Sequence, residues 1–253
     1  MIRLSANLGF LWTDRSLPEA IRAAARAGFH AVECHWPYET GPAAVCDALN
    51  ETGMAMVSLN TRRGPRKGDF GLGALPDRVE EARAVIDEAF DYGSSIAACA
   101  VHVLAGRGQG PEAARTFEDN LIYACDRAAE RSMTVLIEPL NPRDAPGYFL
   151  IGLGMAVEFV ERIARPELKI MFDCYHQQIT GGDLVRGFSD HRQHIGHVQF
   201  AGVPGRDEPD RGEVAYDRLL PELVSLGYDG CFGAEYRPRA ATEHSLKWMK
   251  SFL

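Results

Sequence analysis

Short apolar runs bounded by turn residues alternate with helix-like stretches along the whole chain, eight times over. Strand-like runs fall at residues 3–7, 31–35, 54–60, 97–104, 134–138, 168–173, 195–199 and 230–235. Helical stretches fall at 16–27, 42–52, 76–92, 111–130, 154–164, 183–189, 216–226 and 242–252. Ser16 reads as an N-cap with Pro18 in the first turn, and Gly28, Gly53 and Gly93 read as closing the first three helices. Such alternation specifies a parallel sheet with crossover helices. Eight units in 253 residues suit a closed (β/α)8 TIM barrel, which typically takes about 250. An open doubly wound sheet would want a glycine-rich dinucleotide fingerprint after its first strand, but Asn7 is followed by Leu-Gly-Phe-Leu-Trp. The expectation is an α/β protein forming one barrel domain over residues 1–253.

Four strand ends carry the chemistry. The run from Thr134 delivers Glu138 and stops at Pro139; the next three strands end in Asp173, Gln199 and Glu235. Side chains alternate along a strand, so Thr134 and Leu136 share the inward face with Glu138. By the same count Met171 lies with Asp173, His197 with Gln199, and Gly233 with Glu235. Strand C-termini in such a barrel open onto one face, where active sites sit. Three carboxylates and one amide converge there, and the carboxylates repel one another unless something positive joins them. Oxygen-only donors suit one hard divalent cation, Mg²⁺ or Mn²⁺.

His102 lies near the end of the fourth strand and His176 three residues past Asp173; both are placed for polar work in the mouth, while His197, deeper in its strand, reads as structural. Cys174 has the opposite parity to Asp173 and should face the helices, which argues against a thiol–imidazole pair. Only Lys67, Lys169, Lys247 and Lys250 occur, none ending a strand, so a Schiff-base mechanism lacks its nucleophile. Gly106–Gly110 lacks the spacing of a phosphate cradle and reads as a loop. The glycine-rich loop 61–74 carries Arg62, Arg63, Arg66 and Lys67, and Arg206 and Arg211 follow the seventh strand; on the catalytic face either group could gather an anion.

A net charge of −8 is the wrong sign for a nucleic-acid surface. No apolar run approaches the 18 residues of a membrane span, and the first residues do not resemble a signal peptide. Six cysteines without a CxxC pair read as free thiols in a reducing cytoplasm. A small anionic keto acid or a sugar remains as substrate, with no nucleic acid and no membrane; self-association into a homo-oligomer is compatible with this and its copy number stays open.

Several motifs resemble the hydroxypyruvate isomerase family within the xylose-isomerase-like TIM barrels. They are Ser-Ala-Asn-Leu at the start, Gly-Phe-His-Ala-Val-Glu ending at Glu33, and Gly68-Asp with Gly-Leu-Gly-Ala-Leu-Pro ending at Pro76. They continue in His102-Val-Leu-Ala-Gly106, Ile137-Glu-Pro-Leu-Asn141, Arg143-Asp-Ala-Pro-Gly-Tyr-Phe149, Phe172-Asp-Cys-Tyr-His176 and His197-Val-Gln199. The resemblance covers nearly the whole chain. It implies Glu138, Asp173, Gln199 and Glu235 as metal ligands, Glu138 and Glu235 also as the acid/base pair, and His176 and Arg206 as substrate contacts; His102 and Asn7 are added on the substrate side. Two positions depart from the family: Asp207 stands where a histidine precedes Glu-Pro, and Leu59-Asn-Thr-Arg-Arg-Gly is more basic than usual.

The implied reaction is interconversion of hydroxypyruvate and 2-hydroxy-3-oxopropanoate through an enediolate. A 2-oxo-tetronate isomerase or a ketose 3-epimerase could use the same site, and a metal-binding barrel without turnover is the reading from another class. A DNA-repair nuclease would want several histidine zinc ligands and a basic crescent, and neither is evident. For the substrate carboxylate, Arg206 is the first choice and the Arg62, Arg63, Arg66 run the reserve.

Overall fold

The strands form in the expected order, and the computed structural model, which describes residues 2–252, joins them in one parallel sheet. They are β1 (Leu4–Asn7), β2 (Ala31–Glu33), β3 (Ala55–Met56), β4 (Ser58–Asn60), β5 (Ala100–His102), β6 (Thr134–Ile137), β7 (Leu168–Asp173), β8 (Ile195–Phe200) and β9 (Phe232–Ala234). The sheet runs β3-β2-β1-β9-β8-β7-β6-β5-β4. Its two edge strands, β3 and β4, are the halves of the single expected third strand, parted at Val57. The seam between them is bonded: Val57 N–H donates to Val32 O (2.7 Å), Cys34 N–H to Ser58 O (3.0 Å) and Asn60 N–H to His35 O (2.9 Å). Counting β3 and β4 together, the sheet closes on itself as an eight-stranded barrel.

Helices wrap the outside: α1 (Leu17–Arg26), α2 (Pro42–Thr52), α3 (Val79–Ser95), α4 (Gly110–Arg131), α5 (Leu153–Ile163), α6 (Cys174–Thr180), α7 (Leu184–Asp190) and α8 (Tyr216–Ser225). Ser16 starts α1 as expected, its N–H donating to Glu19 Oε2 (3.1 Å). Three departures stand out, and the first two have physical reasons in neighbouring side chains. Gly93 does not close α3 but lies inside it; a Cβ there would come within 2.7 Å of Met133 and 3.3 Å of Leu59, so glycine lets the helix press onto the barrel. The unexpected α6 begins immediately after β7 because Asp173 is itself its N-cap, accepting from Tyr175 N–H (2.9 Å). The last helical stretch, Thr242–Ser251, winds as a 3₁₀-helix.

Alternation along the strands splits the apolar core in two. Ala100, Leu136 and Met171 form a small cluster inside the barrel. Their neighbours Val101, Val135, Ile137, Ile170 and Phe172 join the larger core between sheet and helices. That division sends the polar residues of the same parity as Leu136 and Met171 into the mouth. Among the described residues no helix is long and apolar enough to cross a membrane.

Candidate active site

Residue register stacks the polar side chains at the C-terminal ends of the strands. Asn7 sits level with Glu33, Met171 with His197, and Asp173 with Gln199. Glu138 and Glu235 follow β6 and β9 directly and are buried, as are Asp173 and Gln199. None of these four side chains faces the helix layer. Cys174 does, and its thiol lies buried in the outer core, pushed up well above its usual pKa first by burial and then by Asp173.

Each carboxylate is held differently. Asp173 uses Oδ1 to cap α6 and turns Oδ2 toward His176 Nε2 (3.6 Å) and Arg206 Nη2 (3.4 Å). Glu235 Oε1 accepts from Asn7 Nδ2 (2.9 Å) and lies 2.8 Å from His35 Nε2, while Oε2 accepts from Arg206 Nη2 (2.5 Å). Glu138 is the least satisfied: Oε1 has no hydrogen-bond partner, and His176 Nε2 (3.8 Å) and His102 Nδ1 (3.7 Å) stand just beyond bonding range.

Glu33 organises the floor of the site. It is fully enclosed at 1% exposure, and it accepts from Asn7 Nδ2 (3.2 Å) and Gln199 Nε2 (2.8 Å) and pairs with His197 Nε2 (2.5 Å). Because the Gln199 amide nitrogen must face this carboxylate, its Oε1 points the other way, buried and unpartnered. Gly233 leaves the room for this arrangement: a Cβ there would fall 2.5 Å from Glu33 Oε1 and 2.9 Å from Gln199 Cγ. Glu33 and His35 had no role assigned from sequence. The sequence carries a signal, since Ala31, Glu33 and His35 share one parity on the second strand, but Glu33 lies two residues short of the end of that run.

Tautomers follow from fixed donors. Asn141 N–H donates to His176 Nδ1 (2.9 Å), so the ring's proton sits on Nε2, which points at Asp173 and Glu138 and has no partner in bonding range. Burial holds His176 well below the usual histidine pKa, and Arg206 lowers it further; burial brings His102 down to about 4. Both rings are neutral near pH 7.

The acids are pushed apart. Burial raises the Glu138 carboxyl well above the usual range, and Glu235 and Asp173 add to the rise. Burial lifts Asp173 to about 7 against the pull of Arg206. Glu235 is equally buried, yet Arg206 first and His35 second hold it down to about 2.

Two expected substrate contacts are otherwise engaged. Asn7 is not exposed to the cavity; its amide hydrogens bridge Glu33 and Glu235, and its Oδ1 accepts from Gly9 N–H (2.9 Å). It positions Glu235. Arg206, at φ 54°, lies between the rings of Phe10 and Tyr175, each 5.0 Å from its guanidinium carbon, with its charge directed at Glu235 and Asp173. It lines the cavity but is already paired. Asp207, where the family motif carries histidine, bonds Arg239 away from the cavity.

The mouth holds a cavity of about 150 Å³, bounded by Glu138, His102, His176, Glu235 and Arg206 within and by Trp36, Arg63, Phe70 and Arg237 at the rim. Of the basic loop, Arg62 pairs with Glu88 and Glu39 and Arg66 with Glu81, while Arg63, still exposed, borders the cavity.

Comparison with known proteins matches residues 21–252 to the family described as the xylose isomerase-like TIM barrel. A Cupriavidus necator protein named 2-oxo-tetronate isomerase is 39% identical over 258 residues, spanning 100% of this chain and 99% of its own. A Xenopus laevis protein provisionally named hydroxypyruvate isomerase is 38% identical over 264 residues, spanning 100% of this chain and 96% of its own. The crystal structure of a Brucella melitensis protein described as an AP endonuclease of family 2 is 37% identical, with a TM-score of 0.95 over 100% of this chain and 99% of that one.

Proposed function

The chain belongs to the xylose isomerase-like TIM-barrel family and is an isomerase, and on that premise we propose that it moves a carbonyl between C2 and C3 of a small 3-hydroxy-2-oxo acid. Hydroxypyruvate is the simplest such acid, giving 2-hydroxy-3-oxopropanoate. The four-carbon 2-oxo-tetronate differs only by a CH₂OH on C3, so one proton transfer serves both; the name of the Cupriavidus relative favours keeping it as the second reading. A cavity of about 150 Å³ suits acids of this size, since sites for drug-sized ligands start at roughly 300 Å³. The chain's net charge of −8 argues against the nucleic-acid substrate that the Brucella description would suggest.

The observation that carries the reading is the pair Glu138 and Glu235, both buried, both lining one cavity, in environments that pull their proton affinities apart. Two carboxyl groups so separated are suited to hold and release a proton in turn. In the forward direction one removes the C3 proton and the enediolate takes a proton at C2 as the oxygens exchange roles. Such transfer contributes roughly 10²–10⁴-fold. The Nε2–H of His176 is placed to donate to a substrate oxygen as charge develops there, and Arg206 keeps Glu235 ionised.

The donor set fits a divalent cation. Glu138 Oε1 and Gln199 Oε1 are buried acceptors without partners, beside Asp173 and Glu235. Single atoms of Glu138, Asp173 and His176 also lie within 4.8 Å of one another, but the Nε2 proton makes His176 a donor rather than a ligand. Glu138, Asp173, Gln199 and Glu235 would hold Mg²⁺ or Mn²⁺, which when bound supplies a Lewis acid for the substrate's carbonyl and hydroxyl oxygens.

Proton NMR in D₂O tests the reading. With Mg²⁺ or Mn²⁺ present, the enzyme should exchange deuterium into C3 of hydroxypyruvate or 2-oxo-tetronate, or into C2 of the 3-oxo product, and Glu138→Gln should stop it. Exchange into neither acid, or undiminished exchange in the variant, would overturn it.

A further inference from the structure

Among the described residues, two arginines that line the cavity have no carboxylate partner: Arg63 and Arg237. Arg206, the third, is committed to Glu235 and Asp173. Arg63 is the better organised of the free pair. Its guanidinium carbon lies 4.3 Å from the centroid of Trp36 and 4.7 Å from that of Phe70, so two aromatic rings flank it. The rings are themselves held: Trp36 Nε1 donates to Thr61 O (3.1 Å), and Phe70 packs edge-on against Tyr148 at 5.8 Å, whose hydroxyl accepts from Ala105 N–H (2.9 Å). Partial enclosure by these rings lowers the pKa of Arg63 with no acid opposing it, while the residue stays exposed to solvent.

A guanidinium carries all its donors around its edge, in one plane. What satisfies a planar fork in that plane is a carboxylate, two N–H groups to two oxygens. A neutral hydroxyl would satisfy one donor and leave the charge unmatched. We infer that Arg63, with Arg237 across the rim, binds the carboxylate of the substrate and makes the site select hydroxy keto acids over neutral ketoses. This deepens the proposed isomerase reading and rests on it for the identity of the substrate. It also sets the orientation: the carboxylate lies at the rim and the reacting carbons point inward to Glu138 and Glu235. The expected binding role thereby moves from Arg206 to its reserve, and the basic departure at Leu59-Asn-Thr-Arg-Arg-Gly becomes the specificity element.

The test uses two probes without an α-hydroxyl on the full chain in Mg²⁺ buffer, pyruvate as the carboxylate and pyruvamide as its neutral counterpart, titrated by NMR. Arg63→Ala and Arg63→Gln should each weaken pyruvate at least tenfold and cut the preference for pyruvate over pyruvamide by a similar factor. Arg63→Lys should recover part of the loss, since it restores charge without the fork. Wild-type protein that does not bind pyruvate, an unchanged pyruvate affinity in Arg63→Ala, or equal weakening of both probes would overturn the assignment. Deuterium exchange separates the two readings. Exchange with pyruvate affinity insensitive to Arg63 sinks the clamp alone; no exchange with an Arg63-dependent pyruvate site sinks the isomerase reading alone.

Discussion

Glu33→Gln keeps the size of a side chain at the floor of the site and removes its charge. Glu33 serves three groups, Asn7, Gln199 and His197, at 3.2, 2.8 and 2.5 Å. A glutamine offers one oxygen and one NH₂, so one side must fail. If its oxygen faces Gln199 and Asn7, the shortest contact, to His197, is lost as a charge-assisted bond. If its oxygen faces His197, its NH₂ meets the Gln199 NH₂, and Gln199 must flip and turn its nitrogen into the mouth. A hydrogen bond to a charged group contributes about 1.5–3 kcal/mol, so stability should fall by about that amount. For a chain of this length each kcal/mol moves Tm by about 2–4 °C, which puts the shift at roughly 3–12 °C. Loss of a group that orients a ligand costs about 10–100-fold in metal affinity, and a flipped Gln199 should show that loss. Differential scanning calorimetry and calorimetric titration with Mn²⁺ read the two effects. A variant with wild-type Tm and wild-type Mn²⁺ affinity would refute the role of Glu33.

Four other expectations follow from the same geometry. Glu138→Gln and Glu235→Gln should each lower turnover by two orders of magnitude or more while circular dichroism stays native, because an amide cannot carry the proton; near-normal rates would remove both from the mechanism. Arg206→Ala strands Glu235 and Asp173 without their cation, so it should destabilise by about 3–5 kcal/mol and depress kcat for acid substrates generally, as urea denaturation and steady-state kinetics would show; a selective rise in KM would return Arg206 to the carboxylate. Gly233→Ala must displace Glu33 or Gln199 and should cost about 1–3 kcal/mol of strain, read by the same denaturation. Arg78 holds the Asp69 carboxyl below its usual range through paired hydrogen bonds. A carboxyl with a depressed folded pKa stabilises above its unfolded pKa, about 4, and that contribution is lost as pH falls through the folded value. Asp69→Asn should therefore be less stable than wild type at pH 7, with the gap closing below pH 4; a gap independent of pH would contradict the pairing.

Much of this protein follows from periodicity alone. The eight alternations require a parallel sheet with crossovers, and a period of two along each strand sorts Leu136 and Met171 from Ile137 and Phe172 without reference to any neighbour. The same parity carries Glu138, Asp173, Gln199 and Glu235 to the mouth, because a strand can deliver its last side chain to only one of two faces. Pairing was another matter. Which anions Arg206 meets, which donors Glu33 gathers from strands far apart in sequence, and which end of the Gln199 amide turns away from Glu33 all depend on residues brought together by closure of the barrel. Sequence marked Arg62, Arg63 and Arg66 as equivalent positive charges on one loop. The fold separates them, because Glu88, Glu39 and Glu81 on the surrounding surface capture two and the rings of Trp36 and Phe70 hold the third over the cavity. Side-chain direction within a strand is a local property of the backbone, but the partner of a charge is decided by distance in space.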